Sequence, residues 1–382
     1  MQTFLSTLFE DAMALCAASD SFYFVDQVRN DVTYRVFTYR LASFTEFQQR
    51  NALELRGHTF RYDKWNDTWV LASLPPKKFF NYGEHVGWGT EMDLNAMQLI
   101  MDKADGSLIS TVADEKGDIF LKSKTSFNSA QSNDATKWCE HIAANSVWGA
   151  LFTKQLFNVS RRGWTVNMEW VSPDNQIVIG YSEPKLIVLN ARNRSTGAYM
   201  PYDELLATFG ERFVVPTWDI PEDGKAFLDE VQAMTGIEGI IFQLPDGTLM
   251  KHKTDAYCVL HHLKDSINNP KRLWAACVEE TADDLRALFK DDPISIERIT
   301  AMEAKASQTY NRIDKLVNGF YNTNKHLDRK AYAILGQAEL VKEGVFSLAM
   351  NLYIGRDSNI KEFMVKNYKS FGISDEELAP TE

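Results

Sequence analysis

The sequence predicts an α+β protein in which a sheet-rich region, residues 1–262, precedes an all-helical region, residues 263–382. Three observations carry this. Before residue 262, short alternating segments recur with turn residues between them, among them TWVLAS, GDIFLKSK, WTVNMEWV, NQIVIGY and PKLIVLNA; this is the period of half-buried strands. Between Pro293 and Pro380 there is no proline. In that stretch Ile313, Leu316, Val317, Phe320 and Tyr321 recur at the spacing of one helix face, and Leu340, Val341, Val345, Leu348 and Leu352 continue the pattern.

Two hairpins follow from turn chemistry. SLISTVADEKGDIFLKSK turns at residues 114–117, and GIIFQLPDGTLMKHK turns at Pro245-Asp246-Gly247, where glycine supplies the positive φ and Asp the local hydrogen bonds. On the second hairpin Lys251 and Lys253 are two apart, so their side chains share a face about 7 Å apart along the strand. Lys122 and Lys124 are expected to do the same on the first. Paired lysines repel, so such a face is either solvent or an anion site. In WTVNMEWV, Glu169 shares a face with Asn167 and Val171, opposite Val166, Met168 and Trp170. An acid in apolar strand sequence needs a metal or a cationic partner. Glu238, before Gly239, opens another strand with the same requirement.

Bulk properties bound the function. A chain of 382 residues suggests two or three domains, and 45% hydrophobic with 24% charged residues is ordinary globular composition. No apolar run approaches the roughly 18 residues of a membrane helix, so no membrane partner is expected. The start, MQTFLSTLFEDAM, lacks the basic opening of a secretory signal, and a cytoplasmic location is expected. Cys16, Cys139, Cys258 and Cys277 have no zinc-ligand spacing and read as reduced core thiols. The net charge of −11 argues against bulk attraction to nucleic acid, although residues 201–250 hold ten of the acids against two basic residues. A local basic site elsewhere remains open. No GxxxxGK[ST], HExxH or GxSxG is present, and GWGTEM lacks the third glycine of a dinucleotide fingerprint.

Lys103 stands just ahead of Asp105-Gly106 and a strand. As a nucleophile it must be neutral, and a free lysine amine is so in only about one molecule in 2,500 at pH 7. Converging cations or desolvation would raise that fraction.

In order, LRG (Leu55, Arg56, Gly57), KFFN (78–81), KADG (103–106), FLKSK ending at Lys124, NMEW around Glu169, IEG (237–239) and KHK (251–253) resemble the motifs of covalent nucleotidyltransferases. The greatest similarity is to the RNA ligase 1 family of T-even-type bacteriophages, and it continues through ALELRG, YDEL, TDAYCVLH, NNPKRL and ADDL. The resemblance implies an antiparallel-sheet nucleotidyltransferase core, ATP-grasp-like, with an all-α C-terminal domain. It implies an ATP-dependent RNA ligase that joins 5′-phosphate to 3′-hydroxyl ends through lysyl-AMP and adenylylated RNA. Lys103 is then the nucleophile, with Lys251 and Lys253 on the α-phosphate and lowering the Lys103 pKa. Arg56 and Lys78 neutralise the leaving pyrophosphate, and Phe80 packs the nucleotide pocket. Asp105 and Gly106 shape the turn; Lys124, Gly239 and Tyr257 match further nucleotide-site positions.

Glu238 and Glu169 match acids that bind ribose or a divalent cation, with Glu238 the first choice for the cation. That cation is expected to be Mg²⁺, with Mn²⁺ as an alternative. Asp283 and Asp284 match acids that approach the active site in the family, and Asp283 is a third candidate ligand for the cation. The implied partner is a single-stranded RNA end such as a broken tRNA anticodon loop, met by a monomer in the cytoplasm, a host's if the chain is phage-encoded. Two departures stand out: Ala104 follows the nucleophile, and Glu279-Glu280-Thr281 occupies a place where glycine is expected.

Rival readings are a DNA ligase or capping enzyme, or a non-catalytic RNA-binding protein on a ligase scaffold. The helical tail disfavours the first, which would carry a β-barrel there. Intact Lys103, Lys251 and Lys253 disfavour the second. Residues 304–330 hold six basic residues against two acids, a face for a phosphate backbone or simply a solvated helix.

Overall fold

A computed structural model describes residues 4–85, 92–173, 179–260, 267, 269–290 and 293–374. GWGTEM up to Gly89 and beyond to Glu91, and most of NQIVIGY, lie outside the described residues. The chain divides into two compact units, Met1–His261 and His262–Glu382.

The first unit begins with a helix, Phe4–Ala18, laid on an antiparallel meander of β1 (Phe22–Arg29), β2 (Val32–Tyr39), β3 (His58–Asp63) and β4 (Thr68–Ser73). Phe9 of the helix stacks on Trp69 and meets the edges of Phe37 and Phe60, so aromatic packing fixes the helix to the sheet. Among the described residues nine further strands follow: β5 (Phe80–Asn81), β6 (Leu99–Asp102), β7 (Ser107–Ala113), β8 (Ile119–Lys122), β9 (Trp164–Val171), β10 (Lys185–Asn193), β11 (Thr217–Trp218), β12 (Gly239–Gln243) and β13 (Leu249–Lys253). They form two sheets, ordered β10-β9-β7-β8 and β11-β6-β12-β13-β5. Pairing is antiparallel except between β13 and β5.

The alternation of β9 is realised physically. Val166, Met168 and Trp170 enter a core with Phe152 and Leu156 of the helix Val147–Arg161, and burying one such side chain contributes roughly 1.5–3 kcal/mol. On the opposite face Asn167 accepts from Ser110 Oγ at 2.7 Å and donates to Asn190 Oδ1 at 2.9 Å. Both expected hairpins form. The first closes with Asp114 N donating to Asp118 O at 2.9 Å, and the second with Gly247 at φ 82°.

The expected Lys122/Lys124 pair does not share a strand face, because β8 ends at Lys122. Lys122 is fully buried and donates through Nζ to the carbonyls of Ser123 and Lys124, at 3.1 and 3.0 Å. Its amine closes the turn that terminates the strand, and burial, with the Lys124 charge, lowers its pKa to about 7.

In the second unit the described helices are Pro270–Val278, Ala282–Leu288, Pro293–Asn324, Arg329–Leu340, Phe346–Tyr353 and Ile360–Lys366. Ile313, Val317 and Phe320 are buried along the long helix, as their spacing predicts. Leu340 and Val345 are buried, whereas Val341 is 53% exposed: its helix ends at Leu340, so the periodicity breaks there. Glu280 has φ 62°. The backbone at this turn takes the left-handed conformation that favours glycine, and here a glutamate holds it, paired with Lys361 at 3.1 Å.

Candidate active site

Lys103 leaves β6 with its backbone N–H on Gly239 O, 2.9 Å away. The chain then turns through Asp105 and Gly106 into β7. A Cβ on Gly106 would stand 2.2 Å from the carbonyl oxygen of Trp170, so the close approach of the turn to β9 requires glycine. Asp105 is buried and braced on three sides. Its Oδ1 accepts from Tyr257 Oη at 2.9 Å, its Oδ2 accepts from Ile179 N at 2.8 Å, and its own N–H donates to Tyr181 Oη at 3.1 Å.

Opposite the turn, Glu238 leads into β12. Gly239 has φ 150°, and a Cβ there would lie 2.1 Å from His252 O, so β12 and β13 meet at this point only because the side chain is absent. The pairing sets Gly239 across from Lys253. One oxygen, Glu238 Oε1, receives both Lys103 Nζ at 2.6 Å and Lys253 Nζ at 3.1 Å. The alternative of an ion pair between a strand acid and the lysines is therefore realised at Glu238. The other oxygen, Oε2, is buried without a hydrogen-bond partner.

Burial raises the Glu238 carboxyl, but the ammonium groups of Lys103 and Lys253, by charge and hydrogen bonding, more than offset that and hold it below the ordinary range. Glu169, opposite Leu108 of β7, goes the other way. Desolvation pushes its carboxyl up to about 7; the Lys103 charge opposes this, Glu238 and Asp105 add to it, and Arg56 opposes it more weakly. Two carboxyls beside one amine thus have opposite tendencies, set by which of them is ion-paired. Burial likewise raises the Tyr257 hydroxyl, whose ring lies 4.7 Å under Lys253 Nζ.

Of the remaining candidates, Arg56 lies near enough to Glu169 for its charge to act on that carboxyl. Lys251 points to the same strand face as Lys253 and lies beside Asn81 of β5 in register. Arg56 Cζ is 5.3 Å from the Phe79 ring, and its Nη1 donates to Lys77 O at 3.5 Å. Lys78 Nζ is 5.1 Å from the Phe80 ring, which itself is buried against Phe44 and Phe47. Lys124 Nζ lies 4.0 Å over Tyr39, and a Cβ on Gly57 would be 2.1 Å from Lys124 O, so the loop carrying Arg56 rests on the backbone at Lys124. Asp283 belongs to the second unit, in the first turn of the helix Ala282–Leu288.

Three features escape the sequence patterns. Tyr181 caps the Asp105 amide, Lys122 is buried, and Glu54 and Arg192 form a buried bidentate pair. Glu54 lies inside ALELRG, but nothing in its spacing names a partner 138 residues away.

Among the described residues no group of three or more His, Cys, Asp or Glu could by itself hold a metal ion. A hard cation that takes one or two carboxylates and completes its shell with water and phosphate oxygens needs no such group. The unsatisfied Oε2 of Glu238 and the neighbouring Glu169 carboxyl are oxygen donors of the right chemistry for it. A cavity of about 500 Å³ between Trp148, Phe152 and Phe213 is separate from these residues and contains none of the candidates.

The antiparallel α+β core thus carries an amine on a glycine-dependent turn, a second lysine on the same carboxylate oxygen and a further acid beside them. The chain belongs to the RNA ligase family, whose model matches residues 54–257, more than half of the chain. Residues 264–375 match the model described as T4 RNA ligase 1, C-terminal domain.

RNA ligase 1 of Bacteriophage TS2126 is 28% identical over 72% of this chain and 67% of its own length. A putative RNA ligase of Thermovibrio ammonificans is 25% identical over 65% of this chain and 64% of its own. The chain thus spans about two thirds of the length of these relatives. Among solved structures, an archaeal ATP-dependent RNA ligase aligns with TM-score 0.48 and 13% identity, covering 80% of this chain and 79% of that one. A Naegleria gruberi RNA ligase mutant with ATP and Mn aligns with TM-score 0.38 and 14% identity, over 50% and 61% of the two chains.

Proposed function

We propose that this chain is an ATP-dependent RNA ligase that uses Lys103 as its nucleophile. The observation that carries the reading is the shared carboxylate oxygen: Lys103 and Lys253 converge on Glu238 Oε1. This leaves two amines at one point where an anion can replace the carboxylate. In the first step Lys103 releases a proton to solvent and its nitrogen forms a bond to the α-phosphorus of ATP. The bond from that phosphorus to the bridging oxygen breaks, and pyrophosphate leaves. Lys253 and Lys251 neutralise the α-phosphate, and Arg56 with Lys78 the leaving group. Tyr257, through Asp105, holds the turn that aims the amine. AMP then passes to an RNA 5′-phosphate, and a 3′-hydroxyl attacks the adenylylated end and expels AMP.

Glu238 and Glu169 would hold the divalent cation, Mg²⁺ or Mn²⁺, in line with the unsatisfied buried Oε2. When bound, the ion supplies neutralisation of phosphate charge. Residues 1–262 serve as the adenylyltransferase domain and residues 263–382 as an RNA-recognition domain. The substrate is a single-stranded RNA end, with a broken tRNA anticodon loop as the specific form and the cytoplasm as the place of action. Support for the RNA class is the family match across both segments.

The test is covalent labelling. Protein incubated with Mg²⁺ and α-labelled ATP acquires label that survives denaturation, and Lys103→Ala acquires none. Label retained by Lys103→Ala would remove the nucleophile from this residue.

A further inference from the structure

Arg192 sits in β10, outside every motif considered above. It is fully buried, and Glu54 is 3% exposed. The guanidinium makes five hydrogen bonds: Nη1 to Glu54 Oε2 at 2.7 Å and Pro75 O at 2.9 Å, Nη2 to Glu54 Oε1 at 3.1 Å and Gly197 O at 2.9 Å, and Nε to Gly197 O at 3.2 Å. That uses its full donor capacity. A buried ion pair of this kind contributes little net stability compared with apolar side chains of similar size, so its value lies in the geometry it imposes.

That geometry is specific. Glu54 is two residues before Arg56, and Pro75 is three before Lys78. The two loops are further tied by Lys78 N on Leu53 O at 2.8 Å and by Lys77 Nζ at 3.6 Å from Glu54 Oε1, and Lys77 N donates to Tyr199 Oη, near Gly197, at 3.2 Å. Arg192 also pairs through its strand with Thr165 of β9, the strand that carries Glu169. One guanidinium therefore fixes the loop of Arg56, the loop of Lys78 and the sheet of Glu169 to one another.

We propose that Arg192 and Glu54 are positioning residues for release of the polyphosphate leaving group: their pairing sets the spacing at which Arg56 and Lys78 receive pyrophosphate. This rests on the reading given under Proposed function and deepens it. Neither residue touches the nucleotide. Their effect should appear where pyrophosphate is bound or expelled and be absent from a step without it.

The experiment compares wild type with Arg192→Lys, which keeps the charge but loses the planar fork, and with Glu54→Met/Arg192→Met, which leaves no orphaned charge. Three quantities are measured: the thermal midpoint, the ATP concentration giving half-maximal labelling of Lys103, and the rate of sealing of a pre-adenylylated RNA strand without ATP. Both variants are expected to fold. The ATP requirement should rise about tenfold or more, the scale on which misplacement of binding groups acts, while sealing of the pre-adenylylated strand stays within about threefold of wild type. An unchanged ATP requirement, equal loss in both reactions, or failure of both variants to fold overturns the proposal. Wild-type protein that takes no label overturns the ligase reading itself, and this inference with it.

Discussion

Tyr257 Oη donates to Asp105 Oδ1 across 2.9 Å, joining the helix Asp255–Leu260 to the turn that presents Lys103. The bond spans 152 residues and, with those to Ile179 and Tyr181, holds both the side chain and the amide of Asp105.

Tyr257→Phe removes the donor and leaves a buried carboxylate oxygen without it. The expected cost is about 1–3 kcal/mol of stability, read from urea unfolding, together with slower labelling of Lys103. A variant as stable as wild type, labelling at the same rate, would mean that the turn does not depend on Tyr257.

Glu169 gives the protein a pH dependence of opposite sign to Glu238. Its carboxyl is raised from 4.5 to about 7 in the folded state, so the folded protein binds that proton more tightly than the unfolded chain. Its contribution is fully present below about 4.5 and is lost as pH rises to about 7. Glu238 is lowered, so its contribution is present above the ordinary glutamate pKa and is lost as pH falls through its lower folded value. Glu169→Gln should flatten the stability profile between pH 4.5 and 7 relative to wild type. Unfolding midpoints measured across that window test this; parallel profiles for the two proteins would contradict it.

Glu280 allows a clean backbone test. Glu280→Ala loses the Lys361 ion pair and keeps the left-handed strain, whereas Glu280→Gly loses the pair and relieves the strain. The glycine variant should be the more stable of the two by about 1 kcal/mol, read from thermal or urea unfolding. An alanine variant equal to or more stable than the glycine variant would mean that the turn relaxes out of the left-handed region.

Much of this fold can be read from the sequence because its signals are local. Alternation in WTVNMEWV and the Pro-Asp-Gly turn each fix structure within a few residues, and the long helical face needs only its own spacing. The KADG, IEG and KHK segments converge in the fold, and of the two partners open to an acid in strand sequence, a metal or a lysine, Glu238 meets the second: its carboxylate oxygen joins Lys103 to Lys253. Lys122 and Arg192 are illegible for a common reason. Each is a cation in strand sequence whose burial depends on oxygens that only the tertiary fold delivers, the Ser123 and Lys124 carbonyls for one and Glu54 with Pro75 and Gly197 for the other. Val341 misleads in reverse, since apolar spacing continues past a helix end that the pattern does not mark.

The short parallel pairing of β5 with β13 has a mechanical consequence. Asn81 lies in register with Lys251, three residues after Lys78, so the segment bearing Lys78 and the strand bearing Lys251 and Lys253 are stitched into one piece. Swinging Lys78 away from Lys251 and Lys253 would tear that stitch, so these three cations move as one piece.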